Sequence, residues 1–317
     1  MEKDMLYAYE VYKCGSFSKA AEKLYISQPA LSAIIKKLEQ RLNAQLFDRH
    51  KTPVSLTPSG VYFIDCIEKI SAIENSYKSY FDDLSQLNKG SVKIGTSTHL
   101  CSKILPDIVA RFSALYPELE FYIVEDNSTP SLKKMLRNAE IDLTLSSNNY
   151  PTDEFAEYPF CYEDIILAVR EDNRINRGLE QYRIAFDEIR DKSPSDCPQK
   201  PLPISVFKDE PFLTIKKTSD LYGRLIAMFD ECHEKVRIIH DLEQMSTCYF
   251  LAARGYGVTL IRASTLDFVR KMPELCFYKI DSPLARRVCR FYVKKNVYRT
   301  KAVRTFLDFI QSQSEVK

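Results

Sequence analysis

The stretch Gly15-Ser16-Phe17-Ser18-Lys19-Ala20-Ala21, followed by Ser27-Gln28-Pro29-Ala30-Leu31-Ser32, constrains this chain more than any other. It predicts two short helices, each beginning behind a serine, with a tight turn at Tyr25-Ile26 between them. A serine in that position accepts from a first-turn amide, and proline there loses nothing because that amide has no intrahelical acceptor. A preceding helix is expected over residues 3–13, stopped by Gly15, with Met5, Ala8, Val11 and Tyr12 near one face. The middle helix, 17–24, is expected to bury Phe17, Ala20, Ala21 and Leu24. In the third, 28–42, Leu31, Ile35, Leu38 and Leu42 fall at i, i+4, i+7 and i+11 and form one core-facing stripe.

The other face of that third helix carries Gln28, Pro29, Ser32, Ala33 and Lys36, with Lys37 and Arg41 at its flank. Glutamine bonds adenine bidentately in a major groove, small residues admit thymine methyls, and lysines neutralise phosphates. A solvated face of an ordinary helical bundle has the same charge pattern. The paired caps, the turn and a following wing favour the DNA reading. Two short strands near 47–49 and 54–56 form that wing around a tip of His50, Lys51 and Thr52. Arg49 and Lys51 are placed to reach the DNA backbone or a narrow minor groove, although Lys51 also fits an ordinary soluble loop. Net charge over the chain is only +2. In the first sixty residues Lys and Arg at 3, 13, 19, 23, 36, 37, 41, 49 and 51 exceed Asp and Glu at 2, 4, 10, 22, 39 and 48 by nine to six.

The run Gly15-Ser16-Phe17, Ala20-Ala21, Leu24, Ser27-Gln28-Pro29-Ala30-Leu31-Ser32, Leu38-Glu39, Leu46-Phe47-Asp48-Arg49 and Leu56-Thr57-Pro58-Ser59-Gly60 resembles the winged helix of LysR-type transcriptional regulators. The resemblance covers about residues 5–60 with its spacing intact. It implies that Gln28, Pro29, Ser32 and Lys36 sit in the major groove of promoter DNA. It also implies that Ser16, Ser18 and Ser27 meet phosphates and that Arg49 serves the wing; Ala33, Lys37 and Lys51 complete the candidate DNA-binding set. Ala33 and Ile34 stand where the family often has Arg and a polar residue, a departure that bears on operator preference.

Thr57-Pro58 restarts a helix by the same cap-then-proline logic. No proline or glycine interrupts it between Gly60 and about Asn88. Phe63, Ile67, Ile70, Tyr77, Phe81, Leu84 and Leu87 recur at threes and fours, broken once by Glu74. Such a rod is too long to bury its face against a sixty-residue module, so pairing with a second copy is expected, with Phe63, Ile67, Ile70, Tyr77, Phe81 and Leu84 as dimerisation residues. A helix lying on its own carboxy-terminal domain is the alternative. Asn88-Lys89-Gly90 is the expected hinge. The resemblance implies a homodimer and, beyond it, a homotetramer, with RNA polymerase as a further partner.

From Ser91 onward, strands alternate with helices: strands at 92–95, 121–124, 141–145, 165–169, 211–215, 257–261 and 289–293. Helices are expected around 105–115, 132–138 and 300–311, with a short one in 179–190. This alternation predicts α/β units with mainly parallel sheets. The order of elements is similar to the family's effector domain, two lobes like those of periplasmic solute-binding proteins joined by two crossing strands. The expected fold class is thus α/β: winged helix-turn-helix (1–58), linker helix (59–89) and two-lobed effector domain (90–317). Lobe I is expected at about 91–164 and 268–317, lobe II at about 165–267. The stretch near 176–202 is longer than usual for the family.

In such folds a ligand sits at the carboxyl ends of the strands. That places Thr96, Ser97, Thr98 and His99 at the site, faced by Ser128, Thr129, Lys216, Thr218, Ser246 and Thr247. Hydroxyls and helix amides there suit a small anion, a carboxylate above all, although some of these are also ordinary turn and cap residues. A second mechanism is thiol sensing by Cys197, which has Lys192 and Lys200 nearby.

Other classes fare worse. The nine cysteines, at 14, 66, 101, 161, 197, 232, 248, 276 and 289, contain no CxxC and argue for reduced, mostly buried thiols rather than a disulfide framework or zinc site. Histidines at 50, 99, 233 and 240 have no metal spacing, and no Gly-rich phosphate loop, nucleophile elbow or HExxH occurs. Cys232-His233 is read as adjacent helical residues pointing apart. No enzyme activity, cofactor or metal is therefore expected, and a ligand-binding protein that does not bind DNA is the rival class. No apolar run approaches the roughly 20 residues of a membrane span, and the charged start lacks a signal core, so a cytoplasmic location is expected.

Overall fold

The computed structural model describes residues 2–49, 53–85 and 90–316. The chain divides into two compact units, the first built chiefly from residues before Leu87 and the second chiefly from those after it. The wing-tip residues His50, Lys51 and Thr52, the side chain of Leu84, and Leu87, Asn88 and Lys89 of the expected stripe and hinge lie outside the described residues.

In the first unit α1 (Lys3–Cys14), α2 (Phe17–Lys23) and α3 (Gln28–Leu42) pack around Ala8, Val11, Phe17, Ala20, Ala21, Leu31, Ile35 and Leu38. Gly15, at φ 57, ends α1 in the left-handed region that glycine tolerates best. The hydroxyls of Ser16 and Ser27 accept from Lys19 N and Ala30 N, so both serines cap their helices. Asn43 ends α3 at φ 49. Leu42, expected in the core stripe, is 40% exposed because it occupies the last turn, where the helix has run past the core. The wing strands β1 (Phe47–Asp48) and β2 (Ser55–Leu56) pair antiparallel, with the Phe17 and Phe47 rings edge-to-face at 5.7 Å.

The linker helix α4 spans Pro58–Ser85, 28 residues, or about 42 Å. Thr57 Oγ1 accepts from Gly60 N at 3.0 Å and donates to Gln45 O at 2.6 Å, so one hydroxyl caps α4 and fixes its exit from the wing. The expected dimerisation stripe needs correction at its start. Ile67 is fully buried with Ile64 and Tyr9 of α1, and Phe63 packs into the same cluster, so this end serves the module's own core. Ile70 is half-buried. The exposed apolar side of α4 is instead Tyr62, Ile73, Tyr77, Tyr80 and Phe81.

From Gly90 the chain runs through β3 (Gly90–Thr96), α5 (Thr98–Lys103), α6 (Leu105–Leu115), β4 (Leu119–Glu125), α7 (Thr129–Arg137) and β5 (Leu143–Ser146), all in the second unit except the end of α7 from Lys134. Strands β4, β3 and β5 run parallel, covered by a core that includes Ile94, Ile108, Phe112, Leu145 and Phe306. Next comes β6 (Phe155–Arg170), a 16-residue strand of which the sequence pattern showed only the last third. Pro159 and the charged pair Glu163-Asp164 hide the rest. The proline is accommodated at a register shift against the partner strand.

The chain continues through β7 (Arg183–Ile184), α8 (Phe186–Asp191), β8 (Pro211–Ile215), α9 (Asp220–Glu231), β9 (Arg237–Leu242), α10 (Met245–Ala253), β10 (Val258–Arg262) and β11 (Leu275–Lys279). It closes with β12 (Arg286–Lys294) and α11 (Lys301–Ser312). The helix expected within 179–190 is only α8, preceded by a 3-10 turn and β7. Elements α9, β9, α10 and β11 had no counterpart in the sequence reading. Cys232 is the C-cap of α9 and His233 follows at φ 57, so that pair is a turn and not helical.

Strand order is β4-β3-β5-β12-β6-β10-β8-β9, with β11 on β6 and β7 on β11. The first half of β6 pairs with β12 and the second half with β10 and β11, so β6 and β12 are the crossing strands between two lobes. The return to lobe I comes later than the expected position near 268. Phe277, Tyr278, Ile280 and Ala285 all pack into the second lobe's core, and the crossing begins with Arg286.

A Cβ at Gly60 would overlap the Leu46 carbonyl oxygen, a backbone atom that cannot swing aside. Gly60→Ala should therefore lower the stability of the winged helix by roughly 1–3 kcal/mol through overpacking. Thermal unfolding followed by circular dichroism checks this, and an unchanged midpoint contradicts it.

Candidate functional site

The exposed side of α3 presents Gln28, Pro29, Ala33, Lys36 and Lys37, with Ser32 half-buried, while Leu31, Ile35 and Leu38 face inward. Ser18 is exposed at the start of α2. Neither Lys36 nor Lys37 has an ion-pair partner among the described residues. Arg41 is spent on Glu2 and Asp4, at 3.0 and 2.7 Å.

Arg49 does not hang free from the wing. Its guanidinium donates to Ser32 Oγ at 2.9 Å and to Glu39 Oε2 at 3.1 Å, and lies 4.7 Å from the centre of the Phe17 ring. Glu39 Oε1 meanwhile accepts from Leu46 N at 2.8 Å and Phe47 N at 3.3 Å. Glu39 thus ties the root of the wing to α3. Sequence reasoning assigns Glu39 no role beyond its place in a motif, because a carboxylate on a solvated helix face carries no signal of its own.

In the second unit a cavity of about 320 Å³ opens between the lobes. Ser97, Thr98, His99, Thr129, Lys216, Thr218 and Ser246 line it, as do the starts of α7, α9 and α10. Three expected residues do not. Thr96 is buried and its hydroxyl donates to Leu145 O at 2.8 Å, inside the sheet. Ser128 caps α7 through Ser131 N and Leu132 N. Thr247 is exposed away from the lining, because its neighbour Ser246 takes the inward position. Thr98 is itself held by Asn127 through its amide and hydroxyl, at 3.1 and 3.3 Å. Lys216 is ion-paired with Glu243.

The residues that dominate the cleft electrostatically were not on the expected list. Arg287 is buried and bonds Glu163 through two nitrogens and Asp220 through a third. Asp220 also accepts from Arg224 at 3.0 Å. Burial opposes ionisation of Glu163, yet Arg287 and the hydrogen bond with His99 hold it well below the usual carboxylate range. Burial and the neighbouring Arg287 push Arg262 down to about 10. Arg262 lines the cavity, its Nε has no hydrogen-bond partner among the described residues, and Glu163 Oε2 is 3.9 Å away. The charged groups that line the cavity are Lys216, Arg262 and Arg287 against Asp126, Asp220 and Glu243, and of these cations Arg262 is the one whose Nε lacks a hydrogen-bond partner among the described residues. The one available signal was Arg262, a charge that ends the otherwise uncharged strand Val258–Arg262; Glu163 and Arg287 lie in strands that carry several other charges.

His99 Nε2 contacts Glu163 Oε1 at 2.7 Å and Ser264 Oγ at 2.9 Å. Together with Lys103 on Asp267 and Ser147 on Asp220, it links the two lobes across the cavity mouth. Cys197, the candidate sensor thiol, is 4% exposed; burial first and then Glu188 push it up, which removes the thiolate character a sensor needs.

A winged helix-turn-helix joined to a two-lobed, ligand-sized cleft defines a class of DNA-binding regulators. Residues 3–61 match the family described as "Bacterial regulatory helix-turn-helix protein, lysR family", and residues 85–315 match "LysR substrate binding domain". The chain belongs to the LysR family of transcriptional regulators. It is 37% identical over 300 residues to "Probable RuBisCO transcriptional regulator" of Phaeodactylum tricornutum, covering 92% of this chain and 90% of that protein. Full-length CbnR complexed with its target DNA shares the fold at TM-score 0.61 and 16% identity, over 99% of this chain and 100% of that one. The Synechocystis PCC6803 CcmR regulatory domain in complex with 2-PG does so at TM-score 0.58 and 18% identity, over 72% of this chain and 99% of that one.

Burial keeps His99 below its ordinary value, against the pull of Glu163, with Arg262 and Arg287 adding to the depression. The unfolded chain then takes up a proton below about pH 6.5 that the folded chain refuses, so this residue's effect on stability turns unfavourable as pH falls. His99→Gln should flatten the decline of the thermal midpoint between about pH 6.5 and 5. Melts across that range check this, and a slope unchanged from the parent protein contradicts it.

Proposed function

We propose that this regulator reads promoter DNA with α3 and answers to a small anion held by Arg262 in the interlobe cleft. Gln28, Pro29, Ser32, Ala33 and Lys36 meet base edges or the adjacent backbone. Ser16, Ser18, Ser27 and Lys37 meet phosphates, through backbone amides where the serine oxygens are already caps. Arg49 acts by holding the wing against α3, and Lys51 at the wing tip remains part of the proposed interface. The exposed side of α4, with Ile73, Tyr77 and Phe81, is the surface on which a second copy packs.

The observation that carries the effector reading is Arg262, a buried guanidinium that lines the cavity with its Nε lacking a hydrogen-bond partner among the described residues. Buried cations are stable when paired, and a ligand carboxylate or phosphate supplies the missing partner. Ser97, Thr218 and Ser246 line the same cavity. The CcmR domain's 2-PG and the relative named for RuBisCO transcription support a carboxylated or phosphorylated carbon metabolite. Binding shifts the lobes only if the anion favours one arrangement over the other. The contacts that His99, Lys103 and Ser147 make across the cleft are what such a shift rearranges.

Two measurements test the reading. Gln28→Ala should cost about 1–3 kcal/mol of discrimination at one operator base pair, whereas Lys36→Ala should weaken binding to all sequences and lower the salt slope by about 1. Salt-dependent gel shifts separate these outcomes. Titration with 2-PG, inorganic phosphate and acetate should raise the thermal midpoint for at least one anion, and Arg262→Met should lower its affinity by roughly 10- to 100-fold, as expected for a hydrogen bond to a charged group. An anion that binds Arg262→Met as tightly as the parent contradicts the assignment.

A further inference from the structure

Cys161 and Cys289 stand directly opposite each other in the antiparallel ladder of β6 and β12. Residues so placed have Cα atoms about 4.5–5.5 Å apart, inside the roughly 4.4–6.8 Å window that a disulfide requires. Cys289 is buried in the first lobe's core, whereas Cys161 is half-buried and keeps some access to solvent. The register shifts beside the pair, where Arg290 is opposite Pro159 and Phe160 becomes the extra residue. A bulge of this kind disrupts the ladder locally and lets the strand bend. Two positions along, on the same strand face, Glu163 opposes Arg287, the ion pair at the floor of the cleft.

We propose that Cys161 and Cys289 are an oxidisable dithiol, a modification site whose closure pins the two crossing strands beside the effector cleft. With hydrogen peroxide as oxidant, the Cys161 sulfur attacks one peroxide oxygen, the O–O bond breaks, and a sulfenic acid and one water result. The Cys289 sulfur then displaces the hydroxyl as a second water and the S–S bond forms. Two thiols are oxidised and one peroxide is reduced, and both thiol protons leave in the waters. The neighbouring Cys289 thiol, then burial, hold the Cys161 thiol above its ordinary range. Because the thiolate is the attacking species, the pair answers to sustained oxidant rather than to a brief pulse. Once closed, it removes freedom from the strands about which the lobes move, so the effector response becomes dependent on redox state. This site stands independently of the anion assignment.

The test uses the full-length protein, exposed to hydrogen peroxide for hours, alkylated, and digested without reductant for mass spectrometry. The expected result is a peptide pair joined through Cys161 and Cys289, lighter by two hydrogens, released by dithiothreitol and missing in Cys161→Ser and in Cys289→Ala. The oxidised parent should also unfold several degrees higher than the reduced parent, and Cys161→Ser should show no such rise. Full alkylation of both thiols after exposure, or Cys161 recovered only as sulfinic acid, overturns the proposal.

Discussion

The pairing of Glu163 with Arg287 across the two crossing strands is the contact on which the sensory half of this molecule depends. Both groups are buried, and removing either partner of such a pair commonly costs about 3–5 kcal/mol, because the remaining charge has no water to turn to. The pair therefore fixes the relative register of β6 and β12 at the point where the chain passes between lobes. Around it the polar groups are shared rather than duplicated. Asp220 at the start of α9 joins Arg287 to Arg224, and Ser264 and His99 join Glu163 to both lobes. Arg262 is the member left over. Its Nε is the guanidinium nitrogen of this cluster that is buried without a hydrogen-bond partner among the described residues.

The winged helix uses the same device at smaller scale. Glu39 gives one oxygen to the wing's backbone and the other to Arg49, whose remaining contacts reach Ser32 and Phe17. One carboxylate thus sets the angle between α3 and the wing, and the hydroxyl of Ser32 is held from the wing side by Arg49. Exposed pairs of this kind contribute little stability singly. Here Glu39 is mostly covered and the arrangement is a network, so its value is geometric: it keeps α3 and the wing in fixed relation.

Local chemistry made much of this legible from residues alone. The serine caps, Gly15 and Pro29 mark α1 to α3 to within a residue, because capping is settled within one turn of chain. The apolar spacing of Leu31, Ile35 and Leu38 identified the inner face and hence the outer one. Seven of the ten expected cleft residues line the cavity, since strand ends followed by helix starts are visible as short hydroxyl-rich breaks. The misses share a cause. Most of β6 went unread because Pro159 and two acids interrupt its pattern, and only pairing with β12 makes it a strand. Helix α10 has Ser246 and Thr247 in its first turn and then runs Cys248 to Ala253 without a strongly polar residue, which leaves no periodicity to detect. The burial of Ile67 is hidden because its neighbour on α1 is fifty-eight positions away.

What the sequence by itself determined is whatever is decided within a few residues: where helices begin and stop, which side of α3 is apolar, that a DNA-reading module precedes an α/β sensor. Tertiary structure alone decided which charges meet. Glu163, Asp220, Arg262 and Arg287 come from four separate elements, and Cys161 lies 128 positions from Cys289 in the chain. Coulombic and thiol chemistry depend on distance in space, and a folded sheet sets that distance without leaving a mark on local composition.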